Sequence, residues 1–437
     1  METALKQKAL AIHKNSLGTI AGHLPKDLDH IGSWINDIVK KASLEKEKQN
    51  DFQFMPAVDK FYKMITSDSK LEAAVKLMLK QGVAIHQQYE PNVSYPVDNL
   101  ETLMTSLNYI ITHAPEFDQD VPHSAFPMSG LFVYMMATEA GWDVFRNETF
   151  NDGLRLVLQS WCEFLDSPQS LSVITTKSRG WLSPPSVIQN NLTQFVTNSQ
   201  QMLDPKHWGF KSFNDFFHRQ IIPICRPMDG IGNESVVVSS NDGTVYRLKR
   251  NVQDEADIDS KGQPYSLKQM LDGSKFTDDF MGGDVLQTFL SGHDYHRWTA
   301  PVSGKIIEQR IVNAFMFSEL QSEGFDPSAG TESQGYEANV NTRGIVIIEN
   351  DKIGKVCVMP IGITEISSIS FENKLGDYVE KGQELGRFSY GGSSMCLIFE
   401  KDAIKQFTVV NPDKETDSDD GPFVRVKAQI AIANIKK

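Results

Sequence analysis

Apolar residues recur at intervals of three and four through the first half of the chain. Ile31, Trp34, Ile35, Ile38 and Val39 repeat in this way, as do Leu71, Ala74, Val75, Met78 and Leu79, and that spacing lines up side chains on one stripe of a 3.6-residue helix. Residues from about 28 to 202 therefore read as helical. The pattern breaks where Pro and Gly cluster, at Glu90-Pro91-Asn92, from Pro122 to Pro127 and at Leu182-Ser183-Pro184-Pro185. Near residue 210 the chain changes character. From about 234 the apolar runs shorten to strand length, as in Ser235-Val236-Val237-Val238-Ser239, Lys305-Ile306-Ile307, Gly344-Ile345-Val346-Ile347-Ile348 and Lys355-Val356-Cys357-Val358-Met359. Turns such as Asn241-Asp242-Gly243, Ser303-Gly304 and Glu380-Lys381-Gly382 bound them. The expected class is α+β, with a helical N-terminal domain over residues 1–204 and a β-rich domain over residues 205–437. The Met-rich and aromatic stripes of the first half read as core rather than as a cofactor surface.

Composition narrows the function classes. With 40% apolar residues and 25 Phe, 11 Tyr and 6 Trp among 437 residues, the chain can bury large cores, which excludes a disordered or fibrous protein. Its 43 basic against 56 acidic residues leave a net charge of −13, which argues against binding a phosphate backbone, so no nucleic-acid partner is expected. The most apolar short run, Leu131 to Ala137, is far below the ~20 residues of a membrane-spanning helix. The polar start Met1-Glu2-Thr3-Ala4-Leu5-Lys6 lacks the apolar stretch of a secretory signal. Cys162, Cys225, Cys357 and Cys396 lie far apart, as buried or incidental thiols of a reducing compartment would. A cytoplasmic protein is expected. The five carboxylates between Pro412 and Pro422 read as a solvated loop, and no metal site is expected.

Candidate chemistry gathers in three segments. Asn241-Asp242-Gly243-Thr244-Val245 is a turn leading into a strand, common on conformational grounds alone. Ser291 to Pro301 packs His293, Asp294, Tyr295, His296 and Arg297 together; it reads either as a proton-transfer site or as a polar turn with a hydrogen-bonded His. Phe388 to Phe399 carries Gly391-Gly392-Ser393-Ser394 between apolar runs. It reads as an ordinary hairpin turn, or as a place where Gly lets the backbone strain so that the Ser hydroxyl attacks the preceding carbonyl.

Taken in order, the segments resemble a known family. Phe213-Asn214-Asp215-Phe216-Phe217-His218-Arg219, Arg226-Pro227, Asp242-Gly243, Tyr265-Ser266-Leu267, Asp294-Tyr295-His296-Arg297 with Pro301 and Gly304, Lys381-Gly382-Gln383-Glu384-Leu385-Gly386 and Gly392-Ser393-Ser394 follow one another as in the pyruvoyl-dependent phosphatidylserine decarboxylases. The resemblance covers roughly residues 205 to 435. Within the family the likeness is strongest to the soluble fungal L-tryptophan decarboxylase branch. It rests there on Gly180-Trp181-Leu182, the stretch from Lys261-Gly262 to Phe276, His296-Arg297-Trp298, Ile361 to Ser367 and Gly391-Gly392-Ser393-Ser394.

The resemblance implies a cofactor made from the chain itself. The Ser393 hydroxyl attacks the Gly392 carbonyl, the ester eliminates, and hydrolysis of the dehydroalanine leaves a pyruvoyl group on a small chain of 45 residues, Ser393–Lys437. The large chain is residues 1–392, and the two stay associated. The pyruvoyl ketone would condense with a substrate amine and draw off electrons as carbon dioxide leaves, without pyridoxal phosphate. By the same resemblance His296 transfers the proton during decarboxylation, and Asp242 matches the acid that orients the His of a self-cleavage triad. One position departs from the family: the second His, three residues after the first, is here Thr299, which cannot act as a base near neutral pH. His293, or His296 itself, is the substitute base. Phe289 and Trp298 read either as the lining of an aromatic amine pocket or as plain core. Asp294, Tyr295 and Arg297 read as braces of their loop, and Cys396 as an inert buried thiol.

The function expected on this basis is decarboxylation of a free amino acid, L-tryptophan or another aromatic one, with a homodimer left open. Two alternatives stand beside it. One is a phosphatidylserine decarboxylase making phosphatidylethanolamine, with peripheral membrane contact for its lipid. The other is an unprocessed, non-catalytic relative, because of Thr299.

Overall fold

The computed structural model describes residues 29–89, 91–118, 125–136, 138–253, 265–318, 334–365, 368–390, 392–409 and 421–435. The acidic stretch from Pro412 to Asp420 and Gly391 of the Gly-Gly-Ser-Ser segment lie outside the described residues. The chain divides into two compact units of α+β composition. One runs up to Gln189 and takes in Asn198–Phe216 and the segment starting at Phe315; the other holds Asn190–Thr197, Phe217–Ala314 and the C-terminal part of the chain.

The first unit is helical. Its longer helices are α1 (Asp29–Glu47), α2 (Pro56–Ser67), α3 (Ser69–Tyr89), α4 (Leu100–Ile110), α5 (Pro127–Met136), α6 (Glu139–Val144) and α7 (Glu148–Asp166). Local chemistry starts several of them. Pro56 stands at the first turn of α2, where its missing N–H costs nothing. Asn99, Thr138 and Asn147 each cap a helix by accepting from the backbone N–H three residues on. The helix α5 is buried along its whole length, so the most apolar run of the sequence is core. No helix among the described residues is long and apolar enough to cross a membrane. Aromatic edges knit the unit, with Phe61 of α2 5.0 Å from Phe150 of α7 and Phe132 5.4 Å from Phe145. α2 and α7 approach closely at Gly153, where a Cβ would lie 2.0 Å from the Phe61 ring.

The second unit is built on antiparallel strands: β1 (Val236–Val238), β2 (Gly243–Lys249), β3 (Asp284–Leu290), β4 (Arg297–Thr299), β5 (Gly304–Val312), β6 (Arg343–Asn350), β7 (Gly354–Ile363), β8 (Ile369–Phe371), β9 (Tyr378–Val379), β10 (Glu384–Phe388), β11 (Gly392–Phe399), β12 (Ile404–Phe407), β13 (Phe423–Val424) and β14 (Gln429–Ala433). The largest sheet runs β13-β2-β3-β11-β7-β6-β5-β9, and smaller ones run β4-β10-β8 and β1-β14-β12. Both faces of the large sheet are buried along its central strands, which is why β6 and β7 read as near-continuous apolar runs rather than alternating ones. One face carries Leu286, Leu290, Met395, Leu397 and Val358 with Trp298. The other carries Val285, Cys396, Ile398, Met359 and Ile361.

The Gly392-Ser393-Ser394 segment lies in a strand and not in a hairpin turn. β11 pairs with β3 from Ser393 to Phe399 and with β7 from Gly392 to Phe399, without a bulge in either ladder. Backbone groups that a turn would leave to water are held on both sides.

Gly153→Ala tests the packing of α2 on α7. In an exposed helix this change adds about 1 kcal/mol of stability. Here the new methyl meets a buried ring that cannot step aside, and overpacking costs about 1–3 kcal/mol. A lower urea midpoint is expected; an unchanged or higher one would show that the two helices part without cost.

Candidate active site

Register places the candidate nucleophile. Leu290, Ser393 and Gly362 form one row across β3, β11 and β7, with Ser393 opposite Leu290 on one side and Gly362 on the other. The neighbouring row is Phe423, Thr244, Phe289, Ser394 and Ile361. Successive side chains of a strand point to opposite faces. Ser393 therefore faces the Leu290 and Met395 side, and Ser394 faces the Ile361 side. Ser393 is completely buried, and its Oγ has no hydrogen-bond partner among the described residues. A buried hydroxyl in that state costs stability without return, so the position fits a residue kept for chemistry.

The two histidines of the Ser291–Pro301 segment have different surroundings. His296 is completely buried, and neither ring nitrogen has a hydrogen-bond partner among the described residues. Its ring lies 3.9 Å from that of Phe217, and Phe217 lies 5.2 Å from Tyr390, two residues before Gly392. Burial, then the nearby Arg219 charge, hold His296 well below the usual imidazole range. Its ring is neutral; the Asp294 backbone, which pulls the other way, is outweighed by burial. His293 is engaged, its Nδ1 3.1 Å from Asn190 Oδ1. Arg219 donates to the carbonyls of Phe217, Asn190 and His293, tying together the segments that flank the His296 ring.

Asp242 is held by a cation and a backbone N–H. Arg226 grips its carboxylate through Nε at 3.0 Å and Nη2 at 2.5 Å, and the Val426 N–H donates to it at 2.7 Å. Gly243 follows where a Cβ would come within 2.5 Å of the Phe289 carbonyl oxygen, so the Asp-Gly pair answers a close approach of β2 to β3. Thr299 is buried, its N–H donates to the Ser240 carbonyl, and its Oγ1 has no partner among the described residues.

The aromatic candidates separate. Trp298 is packed in the core on the Ser393 side of the large sheet, edge-on to Phe371 at 6.0 Å. Phe289 pairs with Ser394 and so faces away from Ser393. Asp294 accepts from the Ser291 N–H, and Arg297 bonds the His218 carbonyl and Glu384. Cys396 is fully buried, and burial raises its thiol well above the ordinary range. Among the described residues no group of three His, Cys, Asp or Glu is arranged to hold a metal ion.

Sequence reasoning assigned no part to Phe217, Arg219, Tyr390 or Gln287. Three of them stood within quoted motifs, but residues 217, 296 and 390 meet only in the folded unit. Gln287 had its own signal, a long amide in the apolar run Val285 to Leu290.

Comparison with known proteins gives the family. A phosphatidylserine decarboxylase family model matches residues 213–424, and a second one matches residues 55–189. The decarboxylase iboD of Amanita muscaria is 33% identical over 296 residues, 62% of this chain and 83% of that protein. The L-tryptophan decarboxylase of Psilocybe cubensis is 28% identical over 404 residues, 86% of this chain and 88% of that protein. A phosphatidylserine decarboxylase proenzyme of Clostridium perfringens is 33% identical over 196 residues, 45% of this chain and 63% of that protein. The protein is thus a decarboxylase, a carboxy-lyase. It belongs to the phosphatidylserine decarboxylase family, whose members are pyruvoyl-dependent.

Buried imidazoles give the site a pH signature. Burial, then Arg219, lowers His293 to about 4, so the unfolded chain binds a proton that the folded one refuses between about pH 6.5 and 4. His293 thus contributes stability above that window that is lost as pH falls through it. Asp294 acts in the opposite sense, since burial raises its carboxyl to about 7. The comparison of wild type with His293→Gln isolates the imidazole. The urea midpoint of the variant should fall less than that of wild type between about pH 6.5 and 4; parallel curves would show a solvated ring.

Proposed function

We propose that this chain is a self-processing, pyruvoyl-dependent decarboxylase of a free aromatic amino acid, with L-tryptophan as substrate, cut between Gly392 and Ser393. The observation that carries this reading is the Ser393 hydroxyl, buried and without a hydrogen-bond partner among the described residues, directly after Gly392 at the start of a central strand. The substrate choice is supported by coverage. The Psilocybe cubensis L-tryptophan decarboxylase matches 86% of this chain, helical half included, whereas the Clostridium perfringens proenzyme matches 45%. The proposed organisation is a helical N-terminal domain of residues 1–204, a catalytic domain of residues 205–437 and a cytoplasmic setting.

Each residue has a stated task in this reading. Ser393 Oγ attacks the Gly392 carbonyl carbon. His296 takes the hydroxyl proton, since its buried ring is neutral and Thr299 cannot serve; His293, engaged with Asn190, is the second candidate. A pyruvoyl group formed there, with the Gly392 carboxylate released by elimination and ammonia by hydrolysis, would supply a ketone that withdraws electrons from a bound amine as carbon dioxide leaves, so no pyridoxal phosphate is called for. His296 then delivers a proton to the substrate α-carbon. Asp242, fixed by Arg226 and Val426, braces the turn into β2. Trp298 supplies aromatic surface on the Ser393 side, and Phe289 backs the strand from the other side. The small chain would stay bound because β11, β13 and β14 each pair with strands of the large one.

The lipid reading, phosphatidylserine decarboxylation at a membrane surface, is favoured by the family model over residues 213–424 and by the proenzyme relatives. Intact mass and carbon dioxide release separate the outcomes. Wild type should give two chains and release carbon dioxide from L-tryptophan, while Ser393→Ala should stay one 49.0 kDa species without activity. Activity only on phosphatidylserine vesicles would transfer the assignment to the lipid reading. A wild type that stays uncut on incubation, or an active Ser393→Ala, would remove the pyruvoyl mechanism.

A further inference from the structure

Behind residue 393, on the other face of the large sheet, runs a buried polar chain that the proposed chemistry leaves unused. Ser394 Oγ accepts from Gln287 Nε2 at 2.9 Å and donates to the Thr288 carbonyl at 3.1 Å, with Gln334 Oε1 3.4 Å away. Gln287 Nε2 also donates to the Gln334 carbonyl at 2.9 Å, and its Oε1 accepts from the Tyr265 hydroxyl at 2.6 Å. Ser394, Gln287 and Tyr265 are all buried, within a face otherwise made of Val285, Met359, Ile361, Cys396 and Ile398. Apolar residues of similar volume would fill that face at less risk, because a half-satisfied polar network is worse than none. The satisfied chain does something that apolar packing cannot: it fixes one hydroxyl from several directions.

Cleavage creates the need for such a fixture. Before the cut, residue 393 is held covalently on both sides. Afterwards it hangs from residue 394 alone, as the first residue of a chain, and chain ends fray unless tied down. A ketone at residue 393 draws electrons well only if it keeps a set orientation to the amide that follows, and that amide joins residues 393 and 394. We propose that Ser394, held by Gln287, Thr288 and Gln334, is the positioning residue that keeps the new chain end in its reactive orientation. The proposal rests on the pyruvoyl reading of Ser393. It separates the two serines by role, one facing the chemistry and one anchoring it from the opposite face.

The test uses full-length wild type, Ser394→Ala, Ser394→Thr and Gln287→Leu, each followed by intact mass, by hydrogen exchange of the first β11 amides in the cut protein, and by kinetics on the substrate that wild type decarboxylates. The variants should still be cut. Ser394→Ala and Gln287→Leu should lose exchange protection at the start of β11 and about tenfold in kcat at unchanged KM, the size expected for one or two buried hydrogen bonds. Ser394→Thr keeps the hydroxyl and should retain both. Wild-type protection and kcat in Ser394→Ala, or a loss that Ser394→Thr shares, would overturn the proposal. If Ser394→Ala is not cut, Gln287→Leu decides, and wild-type behaviour there overturns it. The wild-type mass is read first: a single uncut chain removes the pyruvoyl reading and this proposal with it, whereas cut wild type with an unaffected Ser394→Ala removes this proposal alone.

Discussion

Strand β11 is paired along both edges, to β3 and to β7, from its first residues to Phe399. The rest of the β-rich unit depends on that double ladder. It draws Gly392 and Ser393 out of the exposed turn that their composition suggests and into the middle of an eight-stranded sheet. It fixes which face each serine meets. A peptide bond at the start of such a strand can be broken while the strand stays in place, because the ladder bonds run between neighbouring strands and not along the chain.

Burial sets the chemistry around that strand. His218, His293 and His296 are all held below the usual imidazole range, chiefly by desolvation and then by nearby arginines. Neutral rings are what a proton acceptor requires. Asp242, one of several buried carboxylates among the described residues, is paired with Arg226, and both side chains are less than a tenth exposed. Breaking such a pair strands a charge in a low-dielectric interior at about 3–5 kcal/mol, so the pair ties the Arg226 segment, the Asp242–Gly243 turn and Val426 into one piece. Arg219 does similar work with carbonyls, through Phe217, Asn190 and His293.

The two faces of the large sheet divide the labour. The Leu290 side holds Trp298 and the Ser393 hydroxyl, which has no hydrogen-bond partner among the described residues; the Ile361 side holds satisfied polar groups within an apolar layer. Period-two alternation makes this possible with adjacent residues: Ser393 and Ser394 are neighbours in sequence and lie on opposite sides of the sheet.

Much of the fold was legible in the sequence. The i, i+3, i+4 spacing at Ile31–Val39 and Leu71–Leu79 is set by local geometry and becomes α1 and α3; the runs at 236–238, 344–348 and 355–359 fall in β1, β6 and β7, because short β-branched stretches between turn residues have few other uses. The order of the motifs, from Phe213 to Ser394, also sufficed to name the family. What local pattern could not supply was register and proximity. Nothing in Gly391-Gly392-Ser393-Ser394 tells that β3 and β7 will take up its backbone, that Phe289 will face away from Ser393, or that Phe217 will lie between His296 and Tyr390. Those outcomes follow from pairings between segments tens to hundreds of residues apart. The sequence by itself determined which elements form and which residue types the chemistry can draw on; the tertiary structure alone decided which of them meet, since strand pairing and burial are properties of the assembled sheet.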